Sequence, residues 1–224
     1  MTTLFVVATP IGNLSDFSER AKATLASVDV VLCEDTRVTK KLLEAYKIQA
    51  ETLSYHQHSA QSKTSKVIEL IEAGKSLALV TDAGTPSISD PGGKLVEELV
   101  HHFGNTLKIV PIPGPSAIIT ALSVSGFPAD EFIFLGFPPN KKGRQRYFDR
   151  VASIDSTIVF YESTHRIMKT LEEIALRCPD RLMMVGRELT KMYETLYRGT
   201  ALGVTEQLKS ASIKGEFVIV IRSV

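Results

Sequence analysis

Short, nearly continuous apolar runs alternate along this chain with longer stretches in which apolar residues recur every three or four positions. Leu4–Ala8, Val28–Cys33, Leu77–Thr81 and Leu107–Ile112 are rich in Val, Ile and Leu, the pattern of strands buried on both faces of a sheet. Between them Arg20–Ala26, Val38–Tyr46, Thr64–Ala73 and Gly93–His102 carry helical spacing; Ser62 or Lys63 opens the third and Gly74 closes it. This alternation predicts a largely parallel sheet with helices on both faces. Pro111-Ile112-Pro113-Gly114-Pro115-Ser116 cannot be crossed by a helix and reads as a hinge dividing residues 1–113 from 114–224. After an apolar helix, Ala117–Val124, the pattern restarts. Phe132–Phe137, Thr157–Tyr161, Leu182–Gly186 and Phe217–Ile221 read as strands, and Arg144–Val151, His165–Leu176 and Val204–Ser210 as helices. Thr195–Arg198 fits a short extra strand before the turn at Gly199, which gives a second α/β domain with a mixed sheet.

The 224 residues are enough for two domains of roughly 100 residues each. No apolar run approaches the ~20 residues of a membrane span, and Met1–Val7 lacks the basic segment of a secretory leader. The expectation is a cytoplasmic protein without a membrane partner. Cys33 and Cys178 form no C-x-x-C pair and read as reduced, buried small hydrophobes. The net charge of +1 argues against a general polyanion binder. Its distribution says more: residues 1–113 hold 11 cations and 13 anions, and residues 114–224 hold 15 and 12. Nucleic-acid contacts are therefore expected in the second half.

In open α/β sheets ligands gather at the carboxyl ends of strands, and several strand-end segments here are rich in turn and hydroxyl residues. Ala8–Asp16 follows the first strand with one glycine, so a Rossmann G-x-G-x-x-G turn is excluded and a plain connection stays open. Thr81–Gly92 holds two Pro, two Gly and several Asp, Ser and Thr residues, which fits a small-molecule loop. Its two aspartates, Asp82 and Asp90, lack nearby His or Glu ligands, and no metal site is expected. Pro113–Ala117 leads into a helix whose free N–H groups face a ligand or simply end a rigid linker. Phe160–Arg166 ends a strand and caps a helix. Glu34–Arg37, Tyr55–His58 and Arg187–Glu194 are further polar groups, each also readable as solvated surface. Lys141-Lys142-Gly143-Arg144-Gln145-Arg146, followed by Arg150, is the one strong basic cluster, with Phe137, Tyr147 and Phe148 nearby. It reads as a solvated helix start or as a phosphate-contacting surface.

Taken together, Val7–Leu14, Cys33–Arg37, Tyr55–His58, Thr81–Gly92, Pro113–Ala117, Phe160–Arg166, Arg187–Lys191 and Lys214-Gly215-Glu216 resemble, in order, the ribosomal RNA small subunit methyltransferase I family of the tetrapyrrole-methylase-like superfamily. The resemblance implies two α/β domains, with S-adenosylmethionine in the cleft between them, and a homodimer. It implies methylation of a cytidine 2′-oxygen in the decoding region of 16S rRNA within the small ribosomal subunit. Gly84-Thr85-Pro86 stands where related corrinoid methylases carry Gly-Asp-Pro, which favours the rRNA branch. A corrinoid or other small-molecule methylase is the alternative, followed by a non-catalytic RNA-binding module. Position by position, the implied cofactor contacts are Pro10, Thr85, Ser87, Ile88, Ser116, Ala117, Tyr161, Arg187, Glu188, Leu189 and Gly215. Arg37, His56, Glu162 and Lys191 are the implied catalytic candidates on the substrate side, and Lys141, Lys142, Arg144 and Arg146 the RNA contacts. The sequence departs from the family pattern in two places: Ser59 follows His58 where Asn is common, and many members extend past Lys-Gly-Glu into a small third domain.

Overall fold

The computed structural model describes residues 2–55, 60–210 and 212–224, the side chains of residues 60–62 excepted. The chain divides into two compact units, Met1–Ser116 and Ala117–Val224.

In the first unit the uninterrupted Val/Leu runs become β1 (Thr3–Val7), β2 (Val30–Cys33) and β4 (Leu77–Leu79), with β3 (Glu51–Ser54) and β5 (Lys108–Ile112) outside them. The order is β3-β2-β4-β1-β5 and every pairing is parallel. The connections carry α1 (Glu19–Ser27), α2 (Thr36–Ala45), α3 (Ala60–Glu72) and α4 (Gly92–Phe103). The chain steps one way along the sheet from β1 to β2 to β3, then back to β4 and on to β5. Right-handed crossovers in opposite directions must lie on opposite faces. Accordingly Phe17 before α1, Ala21, Leu25 and Leu43 pack with Val7, Val31 and Ala78 on one face. Val67, Ile71, Leu95 and Leu99 pack with Leu4, Leu32 and Leu77 on the other.

Local chemistry sets the helix ends. The Ser18 hydroxyl accepts from Ala21 N–H at 3.1 Å, and Asp35 Oδ1 accepts from Arg37 N–H at 2.8 Å. Gly74, at φ +79°, ends the α3 turn. The strand β3, which the apolar pattern missed, has one large apolar residue and pairs on one side only. At the opposite edge Lys108 N–H donates to Thr2 O and Ile112 O accepts from Ala8 N–H, so even-numbered residues of β5 face β1 and Pro111 faces outward.

Leu95 and Leu99 are completely buried. Leu95→Ala is expected to cost about 2–5 kcal/mol in urea unfolding. A cost below about 1 kcal/mol would mean that this helix layer is loosely packed.

The second unit is a mixed sheet of β6 (Phe132–Phe134), β7 (Thr157–Ser163), β8 (Met183–Arg187), β9 (Thr195–Gly199) and β10 (Glu216–Ile221). The order is β6-β7-β10-β8-β9, with β6 parallel to β7 and β10 antiparallel to both its neighbours. Helices α6 (Arg144–Ser153), α7 (Ile167–Arg177) and α8 (Ala201–Lys209) cover the face carrying Ile158, Phe160, Val185 and Ile219. Helix α5 (Ala117–Ser125) packs on the face carrying Val159, Met184 and Val218. The last helix starts at Ala201, three residues before the expected Val204, because the Thr200 hydroxyl caps it by accepting from Gly203 N–H at 3.3 Å. Among the described residues no helix is long and apolar enough to cross a membrane.

Candidate functional site

In the first unit β1 and β4 are neighbours whose connections leave in opposite directions, which opens a crevice at their carboxyl ends. The expected loops meet there. Thr9 and Gly84 exchange main-chain hydrogen bonds of 2.9 and 3.2 Å, pinning the loop after β1 to the loop after β4. The Thr9 hydroxyl donates to Thr81 O at 3.1 Å, and Thr85 Oγ1 donates to Pro115 O at 3.1 Å, tying in the segment after β5. Glycine suits the place where these loops touch: a Cβ at Gly114 would stand 3.0 Å from Ala8 Cβ, a tight contact. Pro10 is buried beneath this junction, Ile88 is exposed beside it, and Thr85, Ser87 and Ser116 are half-buried.

Ser87 and Ser89 hold φ of +75° and +66° in the left-handed region, a strained conformation that neighbouring contacts must maintain. Asp90 supplies them: its Oδ1 accepts from Ser87 N–H at 2.9 Å and Gly92 N–H at 2.8 Å. Burial raises the Asp90 pKa against the pull of these two N–H groups, and the charge of Glu34 adds to the rise. Asp90 Oδ2 and Ser87 Oγ are buried and make no hydrogen bond among the described residues. Two such atoms in one strained loop suit a polar ligand that would satisfy them. Asp90, weighed in the sequence only as a metal ligand and set aside, is thus a further functional candidate. Its signal was an aspartate placed to cap a turn just before Gly92.

Beside the crevice Glu34 accepts from the Thr81 hydroxyl and from Asp82 N–H. Arg37 is exposed and forms a two-pronged pair with Asp35, with NH2 to Oδ2 at 2.6 Å and Nε to Oδ1 at 3.0 Å. The candidate His56 lies outside the described residues.

In the second unit the antiparallel pairings bring the ends of β7 and β8 to the start of β10. Ala117, Tyr161 and Leu189 lie on the α5 face with Phe134, and Leu189 folds over Gly186, where a Cβ would meet it at 2.9 Å. Arg187 is buried on the opposite side and donates from Nε to Lys214 O at 2.7 Å. Glu188 Oε1 accepts from Glu216 N–H at 2.9 Å and from Lys191 Nζ at 2.9 Å, while Lys191 also reaches Glu216 Oε2 at 2.8 Å. Partial burial pulls the Lys191 pKa down, but Glu216 and Glu188 outweigh it and hold the ammonium above its ordinary value. Gly215, at φ +124°, leaves the room in which Glu188 sits.

Two expected site residues are corrected by their burial. Glu162 is 1% exposed and lies on β7 in step with Ile158 and Phe160, facing the helices. Its Oε1 accepts from Ser163 N–H at 2.7 Å and pairs with Arg166 Nε at 2.8 Å; its Oε2 accepts from Thr170 Oγ1 at 2.6 Å. It is placed for structure, not for contact with a substrate. Arg144, 4% exposed, shares one helix face with Phe148 and Val151. It donates to Thr170 Oγ1 at 2.7 Å and lies 3.9 Å from Glu162 Oε2, so it is not among the cations offered to RNA. Lys141, Lys142, Arg146 and Arg150 are exposed. None of them forms an ion pair among the described residues.

The family described as Tetrapyrrole (Corrin/Porphyrin) Methylases matches residues 3–203. Among curated proteins, "Ribosomal RNA small subunit methyltransferase I" of Bacillus subtilis is 43% identical over 99% of this chain and 75% of its own length. The protein of the same name from Thermotoga maritima is 39% identical over 99% of this chain and 98% of its own. Diphthine synthase superposes with a TM-score of 0.73 at 14% identity, covering 99% of this chain and 90% of that one. A uroporphyrin-III C-methyl transferase from Thermus thermophilus, complexed with S-adenyl homocysteine, superposes with a TM-score of 0.64 at 18% identity, covering 98% and 97%. These structures share the fold, and the far higher identity of the curated relatives gives the branch. The chain belongs to the ribosomal RNA small subunit methyltransferase I family of the tetrapyrrole (corrin/porphyrin) methylases.

Proposed function

We propose that this chain is an S-adenosylmethionine-dependent methyltransferase that modifies the ribose 2′-hydroxyl of a cytidine in the decoding region of 16S rRNA. It would act in the cytoplasm, as a homodimer, on the small ribosomal subunit. The observation that carries the reading is identity of 39–43% to rRNA small subunit methyltransferase I proteins over almost the whole chain.

The residues present fit the cofactor. The unsatisfied Ser87 Oγ and Asp90 Oδ2 and the close glycine contacts make a polar, narrow-walled place at the β1/β4 crevice. Bound S-adenosylmethionine supplies an electrophilic methyl on a sulfonium. The chain's own part is to orient the attacking oxygen and to manage its proton and charge. Lys191, held protonated by two carboxylates, serves as a cation facing developing negative charge and not as a base. Arg37 is likewise a permanent cation. Histidine is the one residue type among the four candidates suited to taking up a proton near neutral pH, and His56 takes the base role in this reading.

Incubation with methyl-labelled cofactor and unmodified small subunits is expected to place label on a single 16S cytidine ribose, read by mass spectrometry. Label in a corrinoid precursor and none in rRNA would replace the proposal with the small-molecule alternative. Changing Lys141, Lys142 and Arg146 together to Glu is expected to flatten the dependence of log RNA affinity on log salt by about 2–3 units, since each lost phosphate contact contributes about 0.7–0.9. An unchanged slope would remove these cations from the interface.

A further inference from the structure

We propose that Phe137–Gly143 is a preset arm for single-stranded RNA, in which Phe137 stacks on an unpaired base and Glu162 is a positioning residue. The proposal rests on the rRNA reading above and assigns how that substrate is received.

The arm is held at several main-chain points. Tyr161 N–H donates to Gly136 O at 2.9 Å at its start. Arg166 NH1 donates to Pro138 O at 2.9 Å and to the Asn140 side-chain oxygen. Arg144 NH1 donates to Pro139 O at 3.3 Å. Both guanidiniums are gathered by one carboxylate: Glu162 pairs with Arg166 at 2.8 Å and, through Thr170 Oγ1, with Arg144. Two prolines further restrict the backbone. A buried acid thus braces two arginines, and the arginines brace three consecutive residues of a surface segment.

What this segment presents is one ring and then cations. Phe137 is 52% exposed, its ring 5.2 Å from that of Tyr161. Of the other aromatic residues near the basic cluster, Phe148 is buried and Tyr147 packs on Phe160. Phe137 is therefore the ring left to meet a base. Lys141 and Lys142 follow within five residues, exposed and without ion pairs among the described residues. A ring flanked by cations on a rigid support is the combination that binds single strands, by stacking and phosphate contact, with little ordering cost.

The chain contains no tryptophan, so Phe137→Trp creates a single fluorescent reporter. Titration with a 12-nucleotide oligocytidylate is expected to quench the introduced indole by half or more, with the midpoint given by anisotropy of the labelled RNA. Phe137→Ala is expected to weaken that binding about tenfold. Arg166→Lys cannot hold Glu162 and the arm together. It is expected to raise the KM for small subunits about tenfold while kcat and the cofactor KM stay within twofold. RNA binding without quenching, together with normal affinity in Phe137→Ala, would overturn the arm even if wild-type protein methylates small subunits. No methyl transfer to small subunits by the wild type would instead defeat the underlying functional reading.

Discussion

Glu162→Ala is expected to lower the stability of the second unit by about 3–5 kcal/mol, the cost of leaving the buried Arg144 and the half-buried Arg166 without their counter-charge. The carboxylate has no exposed side-chain surface, and it organises Arg166, Thr170, Ser163 N–H and, at 3.9 Å, Arg144. Deleting it strands two guanidiniums beside an apolar layer that contains Phe148, Phe160 and Ile167. Urea unfolding measures the loss. Glu162→Gln, which keeps the shape and an acceptor oxygen, should lose less than Glu162→Ala. Arg144→Met in the Glu162→Ala background should recover part of the loss, because one unpaired charge goes with it. A cost below about 1 kcal/mol for Glu162→Ala would show that both arginines reach water without it.

The second large effect is expected at Gly215. Its φ of +124° disfavours any side chain, and a Cβ there would stand 2.6 Å from Glu188 Cγ. Glu188 cannot simply move aside. It is itself at φ +51°, accepts from Glu216 N–H, and anchors Lys191. Gly215→Ala must therefore either distort the start of β10 or expel the Glu188 side chain. Cofactor affinity is expected to fall about 10- to 100-fold by calorimetry, the equivalent of about 1.4–2.8 kcal/mol. Gly104→Ala is the control. It too has positive φ, +52°, but its Cβ would meet nothing within 4 Å, so a small stability loss with unchanged affinity is expected. Equal affinity in both variants would detach Gly215 and Glu188 from the cofactor.

Much of the architecture was legible because buried parallel strands leave continuous apolar runs and their helices leave a 3.6-residue stripe. The strand Glu51–Ser54 was not, since an edge strand with one leucine has no such run. The loops that meet at the carboxyl ends of the first sheet were visible through their turn residues, but residue type alone misplaced two charges. Glu162 keeps step with Ile158 and Phe160 along its strand, and Arg144 with Phe148 and Val151 along its helix. Periodicity therefore marked both as inward-facing, although acids and arginines are ordinarily solvated. The pairing that makes such burial tolerable joins residues from three separate elements, and no local pattern records it. Asp90 was weighed only as a metal ligand for a related reason: its importance lies in two main-chain N–H groups and an oxygen without a partner among the described residues.

The outward-facing Pro111 on β5 has a colloidal consequence. An open sheet margin with regularly spaced donors and acceptors is a template for recruiting another molecule's strand into a growing fibril. With an imino ring where a donor would stand, an incoming strand finds its hydrogen-bond ladder broken midway. This margin of the first unit is thereby a poor seed for aggregation, even when the protein is crowded.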